Sequence, residues 1–576
     1  MTSFLPYVSY FYSFYLVILA LYPFFRFLSG MRGFLTLTII SLGSLLASLL
    51  SNFYNIVFLE QTLYLEFCTY TFHLNTIELA LSLSLNLLGY LFFLLVTIIG
   101  FATNLYTLNY FKNEADESLF LFWLNSFIAG MSLLVLAGNF FTLFLGWELI
   151  GLTSFFLINF WTTRRATLKS SFKAFSFNLV SDIALLGAFI NFYIVFGTTD
   201  ITFFVALTEI CGSSGVLNLK FGVLCLIVCA SIKSVQIIGH LWLPDSMEAP
   251  VPASSLIHSA TLVSAGVYLL LRFYTILELT DTLWIVLVLG SLTCAYGGVV
   301  AAVQTDMKKL LAYSTMSHCG FLYVTIYCGY FYITITYLFL HGLFKAATFY
   351  CVGSFVRSYR TQDIRWMGCG ARIMPFDSIA LIFCAINLGG LPFTIGYTYK
   401  YYLFKTLLLN EFTLGCFGFI IIGMLSSLGY VFRLIYYPNF DFWKGYYMVT
   451  LRTLNLLKSK QLTLWTSIYT PITVWALLIL VSGAVCTQLY SYYLLQELLF
   501  LNNATLVNSM SYMLLISYYT LLYLPYIILF YSFYLFGLIH WVLIEGRVRF
   551  TKSFSLLLML YFILVLFFFV LLNILL

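Results

Sequence analysis

Charge is what this sequence has least of. Of its 576 residues only 8% are Asp, Glu, Lys or Arg, while 62% are apolar; a soluble domain carries about 25% charged residues. So few charges cannot cover a water-facing surface, and most of the surface must face lipid. No basic run exceeds residues 163–165 or 458–460, and the net charge of +6 is spread along the chain. This excludes a nucleic-acid surface and leaves the short basic groups as polar loops. No GxGxxG, no P-loop and no iron–sulfur cysteine spacing is present, so any redox chemistry served by the chain belongs to other chains. The twelve cysteines are scattered. Cys225 and Cys229 share a helix face without a second pair and read as small buried hydrophobes, not as metal ligands. Residues 1–28 lack the basic start and small-residue cleavage site of a signal peptide, and they are not Arg- and Ser-rich like a transit peptide. They are therefore expected to be a retained first span.

What the chain does have is a succession of apolar runs near the ~20 residues that cross a bilayer as helix. They lie near 5–25, 34–50, 80–103, 118–138, 172–196, 221–239, 254–275, 284–303, 310–328, 332–356, 376–398, 412–433, 466–485 and 553–576. The expected fold is an all-α polytopic membrane protein of roughly 14–17 transmembrane helices. A closed barrel is excluded by the absence of short alternating segments. The run 508–543 is too long for one upright helix; it is either two spans or a helix lying along its neighbours. Two segments combine Gly or Pro with a Lys: 230–243, with Lys233, Gly239, His240 and Pro244, and 388–400, with Gly389, Gly390, Pro392 and Lys400. Paired interruptions of this kind mark inverted repeats with broken helices, although packing kinks produce them too.

An ionisable side chain at membrane depth costs roughly 2.5–3.5 kcal/mol and is normally paired or set beside water. Seven stand within apolar runs: Glu148, Asp182, Lys233, His258, His341, Lys345 and Lys400. One reading makes them interfacial anchors whose heads reach the headgroups. It suits Lys308, Lys309 and Arg372 well and Lys400 and Asp182 passably, but it suits Glu148 poorly, because apolar residues flank it on both sides. Another makes Glu148 and Lys233 a buried ion pair. The functional reading takes the row as a proton relay. His341 and Lys345 are four apart and share a helix face. Glu148 would hold a proton on Lys233 when close and release it when the pair opens. A string of titratable groups through several helices suits conduction better than a substrate pocket, which would converge at one place.

At these residues the sequence resembles the antiporter-like subunits of respiratory NADH:ubiquinone oxidoreductase (complex I), a family shared with multisubunit cation/proton antiporters. The resemblance covers about residues 67–403. It rests on 146–151 (Gly-Trp-Glu-Leu-Ile-Gly), on nearly all of 240–268, on 304–317, on 341–346 and on 362–368. It implies that Glu148 and Lys233 are the controlling pair of a proton channel, that His258, His341 and Lys345 form a central hydrated relay, and that Lys400 is the terminal site. A Lys at that terminal site is similar to the distal member type, which ends in a long lateral helix and a final span, a layout that 508–543 and 553–576 resemble. Three positions depart from the family pattern. Leu179 stands where an Arg often accompanies the acid matching Asp182, Ile238 stands where a Pro often breaks the helix, and Tyr401 replaces the acid that usually follows Lys400.

The expected organisation is N-terminal helices over 1–110, a proton-channel core of two inverted repeats over 111–435, and C-terminal spans with a lateral helix and a terminal anchor over 436–576. The resemblance implies a subunit that moves protons while electron transfer occurs elsewhere. It implies no cofactor in this chain, with NADH, FMN, iron–sulfur clusters and ubiquinone held by other subunits. Its partners would be other membrane-arm subunits, above all a neighbouring antiporter-like chain, together with lipid. The abundance of Phe and Tyr suits an AT-rich organelle genome, so a mitochondrial inner membrane is the expected location. Two rival functions remain: the large subunit of a multisubunit cation/proton antiporter, and a structural subunit whose pump has decayed.

Overall fold

The computed structural model describes residues 5–57, 63–70, 79–111, 116–201, 216–259, 261–391, 394, 396–397, 399–400, 403 and 414–441. The expected lateral helix over 508–543, the final span over 553–576 and the span near 466–485 lie outside the described residues, as does Pro392. The chain forms two compact units, residues 1–390 with 398–481, and 391–397 with 482–576. Of the second unit only residues 391, 394, 396 and 397 are described, where the amide of Tyr397 donates to the carbonyl of Thr394 (3.1 Å).

The first unit is predominantly helical. Its principal elements are α1 (Leu5–Ala20), α2 (Tyr22–Ser51), β1 (Leu63–Tyr70), β2 (Leu79–Leu85), α3 (Leu87–Tyr110), α4 (Glu117–Leu136), α5 (Phe140–Ile158) and α6 (Arg165–Phe196). They are followed by α7 (Val216–Lys233), α8 (Val251–Ser259), α9 (Leu262–Arg272), α10 (Leu283–Val303), α11 (Met307–Tyr327), α12 (Phe331–Tyr359), α13 (Pro375–Gly389) and α14 (Leu414–Asn439). Among the described residues, 9 helical segments are long and apolar enough to cross a membrane. Exposed apolar residues such as Phe172, Ile183, Ile190 and Ile194 line the outer face of α6, as lipid contact requires.

Both expected helix interruptions are present. Helix α7 ends at Lys233, and Val235 takes a left-handed φ of 61°. The chain then runs through turns and short 3-10 segments to α8. Gly239, next to Ile238, closes this turn: a Cβ there would stand 2.7 Å from Ile232 Cα. Helix α13 stops at Gly389, with Gly390 at φ 69°. That conformation is cheap only for glycine and ends the helix. A third interruption was not foreseen. The run 254–275 is split by Thr261, whose φ/ψ of −118°/−87° is not helical, into α8 and α9.

The N-terminal part of the run 80–103 is a strand, not a helix. Its residues 79–85 alternate Leu with Ala or Ser on a period of two, the pattern of a half-buried strand. β1 and β2 pair antiparallel, with Leu63 opposite Leu85. Arg272, at the end of α9, fastens this hairpin to the bundle. Its guanidinium donates to the Ala137 carbonyl, to the Tyr268 hydroxyl (2.7 Å) and to Ser84 Oγ (3.4 Å).

α10 lies against α11 and α14, and α12 against α8, α11 and α13. The α10–α11 contact is close because Gly290 faces Gly320: a Cβ on Gly320 would lie 2.6 Å from the Gly290 carbonyl oxygen. Small residues that let backbones approach are the usual glue between helices in lipid. Two of the motifs, 304–317 and 362–368, clasp one another. The amide of Ile364 donates to the Thr305 carbonyl (2.9 Å) and that of Met307 to the Gln362 carbonyl (3.0 Å). Asp363 accepts from the Arg365 guanidinium (2.6 Å). This contact holds its carboxyl below the usual carboxylate range.

Candidate functional site

Helix α5 starts from a reciprocal cap. The Asn139 side chain meets Thr142 Oγ1 at 2.8 Å, and Thr142 Oγ1 accepts from the Asn139 amide at 3.4 Å. This start fixes the rotation of α5 and so decides which residues face Lys233. They are Trp147 and Gly151, one turn apart. The ammonium lies 5.2 Å from the Trp147 ring centroid, and a Cβ on Gly151 would stand 3.4 Å from Nζ and 3.8 Å from Asn178 Cβ. A cation over an indole face is attracted by the ring quadrupole. Glu148, one residue on and about 100° further round the helix, is half-buried on the adjoining face. It feels both Asp182 and Lys233 electrostatically.

Glu148 and Lys233 do not form a direct ion pair. Among the described residues, the ion pairs within 4 Å are Lys173–Asp245, Lys309–Asp306 and Arg365–Asp363. Both acids act on Lys233 electrostatically, Glu148 from α5 and Asp182 from α6. Asp182 lies one turn beyond Asn178, and Ser181 Oγ is 3.1 Å from its carboxylate. Leu179, three residues before Asp182, points outward. Lys233 Nζ and Asn178 Oδ1 are buried without a hydrogen-bond partner. Buried polar atoms of this kind ordinarily hold water.

The next buried ionisable residues lie on α8, α11 and α12. His258 is fully buried on the last turn of α8. Its Nε2 is 3.1 Å from Ser246 Oγ, whose single proton goes to the Leu243 carbonyl (2.5 Å). Nε2 therefore carries the imidazole proton and Nδ1 is the free acceptor. Residues 337, 341 and 345 line one face of α12. Lys345, wholly buried, donates to Ser314 Oγ (2.5 Å) and to the Leu311 carbonyl (3.2 Å) on α11. His341 Nε2 is buried without a partner.

Lys400 ends the series. Its ammonium donates to the Gly389 carbonyl (2.7 Å) and to Ser427 Oγ on α14 (2.6 Å), with the Leu388 carbonyl at 3.5 Å. Gly389 O is free to accept because α13 stops there, and a cation at a helix C-terminus meets the negative end of the dipole. Thus Lys233 and Lys400 each sit at a helix interruption, whereas Lys345 sits in mid-helix.

Of the residues expected to be interfacial anchors, Lys308 is not one. It is buried and donates to the Ala249 (3.1 Å) and Met247 (3.4 Å) carbonyls of the turn before α8. Lys309 is half-exposed beside Asp306. The sequence reading missed His318. It is buried on α11 one turn from Ser314, with its Nδ1 on the Tyr337 hydroxyl and its Nε2 3.0 Å from the Tyr430 hydroxyl. The signal was available: a His within the apolar run 310–328, directly after the motif that ends at Ser317.

Residues 137–428 match the transmembrane family described as NADH:quinone oxidoreductase/Mrp antiporter. A Paramecium tetraurelia protein named NADH-ubiquinone oxidoreductase chain 5 is 43% identical over 75% of this chain and 77% of its own length. The like-named protein of Acanthamoeba castellanii is 33% identical over 63% of this chain and 56% of its own, so the match spans little more than half of that relative. Among solved structures, one of the Mrp complex from a Dietzia species has a chain 25% identical, with a TM-score of 0.65 over 76% of this chain and 47% of that one. A chain of an archaeal membrane-bound sulfane sulfur reductase shares the fold at 16% identity and a TM-score of 0.66, over 83% of this chain and 99% of its own.

Proposed function

This chain belongs to the NADH:quinone oxidoreductase/Mrp antiporter transmembrane family, and from that premise we propose that it is the chain 5 type of membrane-arm subunit of complex I. In this reading it moves protons across the mitochondrial inner membrane, driven by electron transfer from NADH to ubiquinone in other subunits. The observation that carries the reading is the run of buried ionisable residues from Lys233 through Lys345 to Lys400, set across the segment that the family matches. Each cation is held by neutral oxygens or an aromatic face, and Asp182 and Glu148 stand at the Lys233 end.

Asp182 and Glu148 supply the control. Quinone reduction alters the charge or position of these acids through the neighbouring antiporter-like chain, and Lys233 gains or loses its proton in response. The disturbance is handed to His258, then to Lys345, and last to Lys400, which exchanges the proton with one side of the membrane. The magnitudes are adequate. Moving one charge across 100 mV requires about 2.3 kcal/mol. A hundredfold change in one protonation equilibrium supplies about 2.7 kcal/mol.

The test is isolation of the complex that contains this chain. The proposal expects NADH:ubiquinone reductase activity, with proton uptake by vesicles, to co-purify with it. A cation/proton antiport activity without quinone reductase would move the chain to the antiporter branch, with which it shares the Mrp fold.

A further inference from the structure

We propose that His318, with the hydroxyls of Tyr337 and Tyr430, is the station that carries protons between Lys345 and Lys400. This inference rests on the proton-relay reading above and specifies its least obvious step. The two lysines have different helices as partners, α11 for Lys345 and α13 with α14 for Lys400, and no described hydrogen bond joins them directly. His318 closes the interval from both sides.

On the first side, Lys345 Nζ donates to Ser314 Oγ at 2.5 Å, and Ser314 and His318 are one turn apart on the same face of α11. The His341 and His318 rings are in contact, with centroids 4.9 Å apart. On the second side, His318 Nε2 is 3.0 Å from the Tyr430 hydroxyl. Ser427, one turn before Tyr430 on α14, takes the hydrogen bond of Lys400 at 2.6 Å. Tyr337 stands on the same face of α12 as His341 and Lys345, and its ring stacks on Tyr399, the residue before Lys400 (centroids 3.4 Å). His318, Tyr337, Tyr430, Ser314 and Ser427 are all buried. The His318 imidazole feels the charges of His341, Lys345 and Lys400 together.

The chemistry balances. A neutral imidazole has one N–H and one bare nitrogen, so between two hydroxyls it accepts from one and donates to the other. Tyr337 passes its hydroxyl proton to Nδ1 as it takes one from the His341–Lys345 side. Nε2–H passes to the Tyr430 oxygen as Tyr430 releases its own proton toward Ser427 and Lys400. One proton enters, one leaves and no net charge remains on the ring, which is left as its Nδ1–H tautomer; loss of that proton and regain of one at Nε2 through neighbouring water reset it before the next transfer. The reverse order carries a proton the other way. No other described side chain hydrogen-bonds to hydroxyls on both α12 and α14.

The test uses the assembled complex in membrane vesicles bearing His318→Gln, Tyr430→Phe or Lys345→Ala. Gln keeps polar atoms for both phenols but cannot take a proton at one and release it at the other. Phe removes a hydroxyl with its ring retained. Migration of the intact complex on a native gel reports assembly, NADH oxidation by an artificial acceptor normalises the amount of enzyme, and NADH-driven vesicle acidification reports pumping. We expect all three variants to assemble and each to lose at least tenfold in acidification rate. Should His318→Gln and Tyr430→Phe both pump at the parental rate while Lys345→Ala does not, His318 is not the bridge and the wider relay stands. Parental pumping in Lys345→Ala as well would overturn both. If His318→Gln does not assemble, Tyr430→Phe decides alone.

Discussion

Ser314 supplies the shorter of the two hydrogen bonds that hold the Lys345 ammonium (2.5 Å, against 3.2 Å to the Leu311 carbonyl). Ser314→Ala removes it and changes little else, since one buried oxygen leaves hardly any cavity. A hydrogen bond to a charged group contributes about 1.5–3 kcal/mol, which corresponds to roughly 10- to 150-fold in a rate or equilibrium. Proton transfer through protonated Lys345 should slow by that factor. The assay is the initial rate of NADH-driven acidification in membrane vesicles, normalised to NADH oxidation by an artificial acceptor. Thr315→Val serves as the control. It removes a neighbouring hydroxyl that donates to the Ala312 carbonyl of its own helix (2.6 Å). We expect Ser314→Ala to fall at least tenfold and Thr315→Val to stay within twofold of the parent. Equal rates in the two variants would refute the argument that Ser314 sustains the charge on Lys345.

Further outcomes follow from other contacts. Gly151→Ala adds a Cβ at ordinary contact distance from Lys233 Nζ (3.4 Å) and should pump normally, while Gly151→Leu should displace the ammonium from the Trp147 ring and stop acidification without loss of assembly on a native gel. Gly320→Val drives side-chain atoms into the Gly290 carbonyl, and overpacking of that kind costs about 1–3 kcal/mol; the chain should leave the complex at a lower temperature in a thermal-shift measurement. The contact of Arg365 with Asp363 keeps that carboxylate's pKa below its unfolded value. Its stabilisation is therefore present above the ordinary Asp pKa of about 3.9 and is lost as pH falls through the lowered value. Hydrogen exchange at the Ile364 amide should then show Asp363→Asn to be less protected than the parent near neutral pH and equal to it in strong acid.

The sequence displayed the helices and both interruptions because apolar length and Gly or Pro placement are local properties. It carried the identities of the buried cations for the same reason, since a Lys within an apolar run announces its own cost. It did not carry helix rotation. Glu148 is the acid in the motif, but Trp147 and Gly151 are the residues turned toward Lys233, and a second acid, Asp182, acts on that lysine from another helix. Spacing along one helix cannot settle which of two neighbours faces a second helix. Lys308 illustrates the same limit, because its carbonyl partners come from a turn some sixty residues away. β2 was misread because its Leu-rich composition outweighed its two-residue alternation. His318 was overlooked because its hydroxyl partners lie on two other helices, 19 and 112 residues distant.

The central claim is that protons cross through Lys345. Its most direct test is the ratio of protons moved to electrons passed in vesicles carrying Lys345→Met, a change that preserves side-chain length without a titratable nitrogen. The account predicts that acidification falls at least tenfold, or that quinone reduction halts with it, while oxidation by the artificial acceptor continues. A variant that reduced quinone at the parental rate and moved the parental number of protons per electron would contradict it.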